Sequence, residues 1–281
     1  DPDRRGVALD EVTRIELPTH AIGRILGRRV DREDPPVVRP HVHRPVAGDH
    51  RIRESPGVSE DGDGDGIGAV DDKGRIIWGD QLVAVFATDI LARNPGGTII
   101  FDVKCSQGLE EHIRALGGRP LMWRTGHSLI KRKLKEEKAL LAGEMSGHMF
   151  FADGYYGYDD AIFAAARLVS LISRSEKPLS ALIDELPRYV STPEIRLECP
   201  DSLKFRLVER LRQFFADTRE VIDIDGARIL FGDGWGLVRA SNTQPALVAR
   251  FEARSEKRLD EIRTEVLGKV ASLKSDMVGT G

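Results

Sequence analysis

Short apolar segments alternate with amphipathic segments between residues 80 and 187, and this alternation limits the possible folds more than any other feature of the chain. The segment GTIIFDVK at 97–104 is rich in β-branched and apolar residues and begins at a glycine pair, which is typical of a buried strand. The preceding segment at 80–94 repeats apolar residues at helical spacing, and we expect Asp80 to cap this helix. Because strands and helices alternate, we predict a parallel sheet with right-handed crossovers and with its sites at the C-terminal ends of the strands.

A second pattern begins near the segment YVSTPE, where Pro187 and Pro193 bracket a predicted linker. Helices are predicted at 201–216 and 255–274, with two or three strands between them at 219–254. The predicted fold class is therefore α/β: a domain with a parallel or mixed sheet, followed by a smaller α+β C-terminal domain and preceded by an irregular N-terminal segment.

Residues 1–60 differ in composition from the rest of the chain: they contain eleven Arg, seven Pro and four of the seven His, but no Lys, Phe, Tyr or Trp. The prolines exclude a long helix or a central strand, so we expect little stable structure in this segment. His41, His43 and His50 are poor candidates for metal ligands because the segment offers nothing to orient them. A second interpretation is a translation of GC-rich DNA in a shifted reading frame.

The overall composition argues against nucleic-acid and membrane partners. A net charge of −3 provides no broad field that would attract nucleic acid or anionic lipid. No apolar run reaches the roughly 18 residues of a membrane span, and the first residues lack the pattern of a signal peptide. Cys105 and Cys199 are far apart, which favours small core residues in a reducing compartment. We therefore expect a cytoplasmic protein.

An acidic, glycine-rich loop places Asp61, Asp63 and Asp65 at alternate positions. Three carboxylates on one side of a tight turn suit Mg²⁺ or Ca²⁺. The start of an EF-hand loop is matched, but Asp72 stands where the bidentate Glu is needed, and Pro56 lies where a helix should enter. The loop therefore favours a Mg²⁺ site over an EF-hand, and an acidic turn without a metal stays open as an alternative.

A second polar segment, RASNTQP at 239–245, combines a guanidinium, hydroxyls and an amide. Arg239 can bond two oxygens of a phosphate while Ser241, Asn242 and Thr243 donate from their side chains or backbone. The alternative is an ordinary hairpin turn, which also uses Ser, Asn, Thr and Pro.

A third polar segment, GEMSGH at 143–148, places Glu144, Ser146 and His148 on a glycine-flanked loop that follows a predicted strand. These side chains could hydrogen-bond the hydroxyls of a sugar, although a simple turn would use similar residues. His127 at a helix start and Lys104 at a strand end could each face an anion.

Taken together, six segments resemble the bacterial phosphomannomutase/phosphoglucomutase family of the α-D-phosphohexomutase superfamily. DGDGD, DVKCSQGL, TGHSLIK, LLAGEMSGHMFF, STPEI and GWGLVRASNTQP occur in the family's order and spacing, over about residues 61–281. The resemblance implies a four-domain enzyme that moves phosphate reversibly between C6 and C1 of mannose or glucose. A phosphoserine would donate the phosphoryl group and form a bisphosphorylated sugar such as glucose 1,6-bisphosphate.

The resemblance also implies domain limits and residue roles. Residues 61–75 would be a metal-loop remnant of the second domain, 76–187 the third domain with its sugar-binding loop, and 188–281 the fourth domain with its phosphate-binding loop. By the same resemblance, Asp61, Asp63 and Asp65 would bind one Mg²⁺, Glu144 and Ser146 the sugar hydroxyls, and Arg239, Ser241, Asn242 and Thr243 the non-reacting phosphate, while Lys104, His127 and His148 line the cleft.

The chain departs from the family's pattern in two places. The metal loop normally ends in Arg, and here Gly66 stands at that position. The T-A-S-H-N-P segment that carries the catalytic serine does not occur in the sequence, so no nucleophile is assigned. We therefore expect little or no mutase activity from these residues alone, and we expect a monomer that binds hexose phosphates. A non-catalytic sugar-phosphate binding module and a phosphoglucosamine mutase relative are the alternatives; GEMSGH resembles the mannose/glucose branch.

Overall fold

The structure, a computed structural model, describes residues 57–60 and 64–278. It begins with a small antiparallel sheet of β1 (Gly57–Glu60), β2 (Ile67–Val70) and β3 (Ile76–Ile77). Strand β1 lies inside the segment 1–60, for which we expected little stable structure, so that expectation is wrong for its last four residues. They are ordered by pairing with β2, a contact across the acidic loop that local composition does not reveal. The remainder of that segment lies outside the described residues.

The central sheet has the strand order β5-β4-β6-β7, with β4 parallel to both β5 and β6. This confirms the predicted α/β class. The sheet is mixed because β7 returns antiparallel to β6 through the turn 144–148, where the sequence predicted only a strand that enters a loop. The elements are α1 (Gly79–Arg93), β4 (Thr98–Asp102), α2 (Gln107–Ala115), β5 (Arg119–Trp123), α3 (His127–Glu136), β6 (Leu141–Gly143), β7 (Met149–Phe151), α4 (Ala161–Arg174) and α5 (Leu179–Asp184).

Helix α1 and strand β4 form the centre of this domain's core. All five residues of β4 are buried, and Leu82, Val83 and Phe86 of α1 are at most 2% exposed, as the helical spacing of apolar residues predicts. The prediction that Asp80 caps α1 is wrong. The helix begins at Gly79 with Trp78 as its N-cap, so Asp80 lies in the first turn. A side chain at position 79 would collide with the carbonyl oxygen of Glu144.

The C-terminal domain is an antiparallel sheet covered by two helices. Its elements are β8 (Val190–Ser191), β9 (Ile195–Glu198), α6 (Asp201–Ala216), β10 (Val221–Ile222), β11 (Ala227–Leu230), β12 (Gly234–Ala240), β13 (Ala246–Ala253) and α7 (Glu256–Val278). The strands run in the order β10-β11-β12-β13, and both β8 and β9 pair with β13. The α+β module is confirmed, with two corrections: 219–254 carries four strands, and the predicted linker contains β8, which pairing with β13 draws into the sheet.

Helices α6 and α7 pack their apolar residues against this sheet. Leu207, Leu211, Ile262 and Val266 are fully buried with residues of β11 to β13 in one apolar cluster. Within 57–60 and 64–278, no helix is both long enough and apolar enough to cross a membrane.

Arg228 of β11 joins the two domains. It is 1% exposed, and its Nη1 donates hydrogen bonds to the carbonyl oxygens of Val103 (2.6 Å) and Cys105 (2.9 Å), in the loop that follows β4. Its guanidinium lies 3.8 Å from the ring centroid of Trp235. Burial lowers the pKa of Arg228 to about 10, so the guanidinium is still charged at neutral pH.

Two residues of β13 bind the same loop. Arg250 Nη1 donates to the carbonyl oxygen of Lys104 (2.8 Å). Glu252 is 2% exposed, and its Oε1 accepts hydrogen bonds from the Trp235 indole (2.8 Å) and from the backbone N–H of Gln107 (2.8 Å). The β4 loop is therefore bound by the C-terminal domain mainly through main-chain groups.

Two substitutions of Glu252 distinguish the contribution of its acceptor oxygen to the free energy of unfolding from the contribution of its charge. We expect Glu252→Ala to lower the free energy of unfolding by about 2–5 kcal/mol, because two donors lose their buried partner. Glu252→Gln keeps an acceptor oxygen and should cost less than about 2 kcal/mol. Urea unfolding followed by circular dichroism measures both. Equal losses in the two variants would contradict the assignment.

Candidate functional site

Three loops leave the carboxyl ends of the parallel strands β4, β5 and β6 and lie next to one another, as the topology requires. They carry five of the residues that the sequence predicted for the site. Lys104 follows β4, His127 follows β5, and Glu144, Ser146 and His148 follow β6.

Asp102, the last residue of β4, connects these loops. Its side chain is fully buried and lies 3.6 Å from Lys104 Nζ. One carboxylate oxygen accepts from Cys105 Sγ (3.1 Å) and from the Met145 N–H (3.4 Å), and the other from the Thr125 hydroxyl (3.2 Å). Asp102 is not among the site residues that the sequence predicted. Its signal was an ionisable residue at the end of an otherwise apolar strand.

Glu144 is buried against the loop that follows β5. It is 2% exposed, and its Oε1 accepts from the backbone N–H of Gly126 (2.6 Å). Burial raises the pKa of Glu144, and nearby Asp102 adds to this, while the Gly126 hydrogen bond opposes it. Ser146, by contrast, is exposed at the tip of the turn. Gly147 has a φ of 103° and contacts Ile67 so closely that no side chain would fit.

The described end of the acidic loop meets two histidines. Asp65, His127, His148 and Asp159 have ligand-type atoms within 4.8 Å of one another. His148 Nδ1 lies 3.6 Å from Asp65 Oδ1 and 3.7 Å from Asp159 Oδ2, and His127 Nδ1 hydrogen-bonds Asp159. Asp61 and Asp63 lie outside the described residues, so the three-aspartate Mg²⁺ site stays a prediction. Asp65 offers it one partly exposed carboxylate.

Asp159 is the member of this group that sequence reasoning missed. It precedes Asp160, whose side chain accepts from the Phe163 N–H (2.8 Å) and caps α4. In the sequence, the pair Asp159 and Asp160 therefore looks like an ordinary helix N-terminus and gives no signal of a binding site. Burial opposes ionisation of Asp159, but hydrogen bonds from Lys131, its own backbone and His127 hold its pKa below the usual value.

The segment 239–245 forms the end of β12 and the turn into β13. Arg239 Nη2 pairs with Asp225 Oδ2 (3.1 Å), and its buried Nε has no hydrogen-bond partner among the described residues. The Ser241 hydroxyl accepts from the Gln244 N–H (3.1 Å), so it shapes the turn. Asn242 and Thr243 are exposed.

Asp225 also approaches the sheet domain. Its Oδ2 accepts from the Thr125 N–H (3.3 Å), and the Arg124 Nε donates to the carbonyl oxygen of Ile224 (2.7 Å). A cavity of about 220 Å³ adjoins the turn and is lined in part by Asp225 and Asn242. The C-terminal turn and the loop after β5 therefore lie on adjoining surfaces, with one carboxylate shared between them.

A larger cavity of about 460 Å³ lies at the domain interface and is bordered by Asp80, Ser106, Arg250 and Glu252. The described residues that line it include none of the predicted site residues. We therefore place the candidate site at the three strand-end loops, where the ionisable groups converge, and not at the more voluminous cavity.

Comparison with known proteins gives matches to two adjacent domains. Residues 78–189 match the family profile "Phosphoglucomutase/phosphomannomutase, alpha/beta/alpha domain III", and residues 194–269 match the family's "C-terminal domain". A phosphomannomutase/phosphoglucomutase of Pseudomonas aeruginosa is 46% identical over 222 residues, which are 79% of this chain and 48% of that protein. A Neisseria gonorrhoeae phosphoglucomutase is 43% identical over 219 residues, 77% of this chain and 47% of that protein.

Solved structures agree with these matches. A phosphoglucomutase/phosphomannomutase family protein of Burkholderia thailandensis has a TM-score of 0.73 at 44% identity, covering 80% of this chain and 49% of that one. An Aspergillus fumigatus N-acetylphosphoglucosamine mutase, solved with GlcNAc-6P and magnesium, has a TM-score of 0.58 at 15% identity, which shows a shared fold only; 78% of this chain and 49% of that one are covered. The chain spans about half the length of the curated relatives it matches.

The buried carboxyl of Glu144 should make the free energy of unfolding depend on pH in a way that can be tested. Because its pKa is raised in the folded protein, its contribution to stability is present at low pH and lost as the pH rises through the folded-state pKa. We expect Glu144→Gln, which keeps an oxygen for Gly126, to raise the free energy of unfolding by about 0.5–2 kcal/mol at neutral pH. The gain should disappear as the pH falls below about 4.3, the usual pKa of glutamate.

Glu137 supplies a matched control with the opposite sign. Hydrogen bonds from Lys133 and then Arg119 lower its pKa, so Glu137→Gln should lose stability at neutral pH, and this loss should vanish on acidification. Urea unfolding at a series of pH values measures both variants. A Glu144→Gln effect that grows toward acid pH would contradict the assignment.

Proposed function

The chain belongs to the phosphoglucomutase/phosphomannomutase family, and we propose that it supplies the sugar-binding and phosphate-binding domains of an enzyme that moves phosphate between C6 and C1 of mannose or glucose. The single observation that supports this most is the position of Asp225. Its carboxylate pairs with Arg239 of the C-terminal domain and accepts from the Thr125 N–H of the sheet domain. The turn after β12 and the loop after β5 therefore adjoin, and one ligand can contact both. Glucose 1,6-bisphosphate is the bisphosphorylated intermediate in this proposal.

At the sugar end, we assign Glu144 and Ser146 to the hydroxyls O3 and O4. Gly126 uses Oε1 of Glu144, so Oε2 is the oxygen proposed for the sugar. A buried carboxylate that is held by a backbone N–H offers a fixed acceptor, and sugar hydroxyls are donors that suit it. The same hydroxyls are presented by both orientations of a hexose phosphate, as a reaction that turns its intermediate around requires.

At the phosphate end, Arg239 exchanges its pairing with Asp225 for the non-reacting phosphate. Its buried Nε has no partner among the described residues, and a phosphate can bind Nε and Nη2 together in the bidentate geometry that guanidinium prefers. Ser241, Asn242 and Thr243 add donors from the turn. Phosphoryl transfer depends mainly on positioning and charge neutralisation, so this distal contact contributes to rate by fixing the ligand.

At the reacting end, Asp61, Asp63 and Asp65 would hold Mg²⁺, which when bound neutralises charge on the transferring phosphoryl group. Three carboxylates are a donor set that Mg²⁺ prefers, and the Asp65 side chain is 30% exposed and so accessible to an ion. Lys104, His127 and His148 line the cleft beside it and orient anionic groups. Gly66 in place of Arg removes one cation from this end.

We further propose that these 281 residues alone have little or no mutase activity and that the protein is a cytoplasmic monomer. The second candidate function is a non-catalytic sugar-phosphate binding module, which Gly66, at the position where the family's metal loop normally has Arg, favours. A phosphoglucosamine substrate is a weaker third candidate, because GEMSGH resembles the mannose/glucose branch.

Binding of glucose 1-phosphate tests the phosphate contact. We expect Arg239→Ala to weaken binding about tenfold or more in isothermal titration calorimetry, since a charge-assisted bidentate contact contributes about 1.5–3 kcal/mol. Arg263→Ala is the matched control: it removes the same charge from exposed α7, where Arg263 pairs with Asp260, and it should leave the affinity unchanged. An Arg239→Ala affinity equal to that of the unaltered chain would refute the assignment.

A coupled assay with mannose 1-phosphate and glucose 1,6-bisphosphate tests the two functions against each other. Alone, the chain should show no turnover above background. Addition of a separately produced serine-bearing half of a relative should restore turnover if the chain supplies domains of an enzyme. Sugar-phosphate binding without restored turnover would favour the binding module, and normal turnover by the chain alone would refute the proposed inactivity.

A further inference from the structure

We propose that the cavity of about 460 Å³ at the domain interface binds a small organic anion, with one carboxylate or phosphate group on an apolar body. This cavity is separate from the three strand-end loops, because the described residues that line it include none of those assigned to the candidate site. Its volume lies within the range of about 300–1,000 Å³ that is typical of small-molecule sites. Residues of both domains form its walls, so a bound molecule would contact both.

Arg250 of β13 places a buried cation in this cavity without an anionic partner among the described residues. It is 7% exposed. Its hydrogen bonds go to neutral groups, from Nη1 to the carbonyl oxygen of Lys104 (2.8 Å) and from Nη2 to the Ser191 hydroxyl (3.4 Å). The second of these is long, and the buried Nε has no partner within the described part of the chain. A buried guanidinium in this state is costly, and a carboxylate or phosphate matches its planar set of donors.

The acidic residues of the cavity already accept hydrogen bonds. Asp80 is 4% exposed and accepts from the backbone N–H groups of Gln81 and Ser106, both at 2.9 Å. Glu252 accepts the two hydrogen bonds described above, and Asp184 pairs with a lysine and an arginine of the β2–β3 turn. Four arginines line the cavity together with these three acids. The unused hydrogen-bonding capacity therefore belongs mainly to donors, which favours an anion over a cation.

The apolar part of the lining determines the body of the ligand. Trp78, the N-cap of α1, borders the cavity and is 55% exposed although its ring is large and apolar. An aromatic or aliphatic body that covers such groups adds a hydrophobic contribution that an inorganic anion lacks. The other apolar residues come from α1, α2, α5 and the segment that follows α5: Ala84, Leu109, Ile183, Leu186 and Pro187.

Arg188 gives the cavity a second cation that can meet an anion. Its side chain is 82% exposed, and its ion pair with Asp184 is long, at 3.9 Å. Arg254 also borders the cavity, but Glu111 holds it at 2.9 Å. Exposed charges of this kind attract a ligand and contribute little to affinity. Arg250 is therefore the group that we assign to the anionic end, and Arg188 assists its entry.

Isothermal titration calorimetry with 3-phenylpropionate and with phenyl phosphate tests the proposal on the full chain. Acetate, inorganic phosphate and benzyl alcohol supply the anionic groups and the apolar body separately. The titrations use an Arg239→Ala background, so that the proposed phosphate contact at the β12–β13 turn cannot contribute. We expect at least one of the two probes to bind at least about tenfold more tightly than its separate parts, and the better probe identifies the preferred anionic group. No gain for either probe over its parts would overturn the proposal.

Variants of the lining residues locate the bound probe. Arg250→Lys keeps the charge but loses the planar donors, and Ser191→Phe fills the cavity from an exposed position of β8; each should weaken binding at least about tenfold. Arg188→Ala should weaken it about twofold, and Arg263→Ala, on α7, is the control that should leave it unchanged.

Urea unfolding without ligand checks that each variant is folded. Full affinity in a folded Arg250→Lys variant would overturn the proposal, and if that variant does not fold, full affinity in Ser191→Phe would do so. The site uses no residue of the proposed mutase or sugar-phosphate function. A failure to bind glucose 1-phosphate or to restore turnover would therefore leave this result unaffected.

Discussion

The buried guanidinium of Arg228 is the interaction on which the rest of the site depends. It reaches from the C-terminal sheet into the loop after β4 and binds the carbonyl oxygens of Val103 and Cys105. Because these acceptors belong to the backbone, the contact fixes the path of the loop, on which Lys104 stands. The cost of burying this cation is offset in part by Trp235, whose ring lies 3.8 Å from it, although Nε and Nη2 of Arg228 have no hydrogen-bond partner among the described residues. The protein thus retains a costly buried charge where it sets the position of one domain's loop from the other.

Buried acids perform the corresponding task within the sheet domain. Asp102 and Glu144 each accept hydrogen bonds from a neighbouring loop, so the three strand-end loops are joined to one another. Both acids are buried at the ends of parallel strands, where backbone N–H groups of the neighbouring loops donate to them. Burial raises the pKa of Glu144, so keeping this carboxyl ionised at neutral pH costs stability.

The local spacing of apolar residues was enough to predict most of the helices and strands. The features that it missed depend on contacts between residues far apart in sequence. The helix at 80–94 and the strand at 97–104 follow from apolar spacing, and their buried faces agree with it. Strand β1 depends on pairing with β2, and Gly79 at the start of α1 packs against a loop more than sixty residues away, so neither contact could be predicted from neighbouring residues. The candidate site divides in the same way: polar segments marked Lys104, Glu144 and His148, whereas Asp159 and Asp225 acquire their importance only from partners that the fold brings near.

The hydrogen bonding of Arg239 is incomplete within the described residues. Asp225 bonds one of its terminal nitrogens and leaves the buried Nε without a partner among the described residues. A buried, unpaired donor costs about 1–3 kcal/mol, and a phosphate, with several oxygens at one centre, can satisfy Nε and Nη2 together. Binding would then release Asp225, which also accepts from the Thr125 N–H of the neighbouring domain. In the proposed function, Asp225 would therefore couple phosphate binding at Arg239 to the contact between domains, and the unpaired Nε would supply part of the free energy for that exchange.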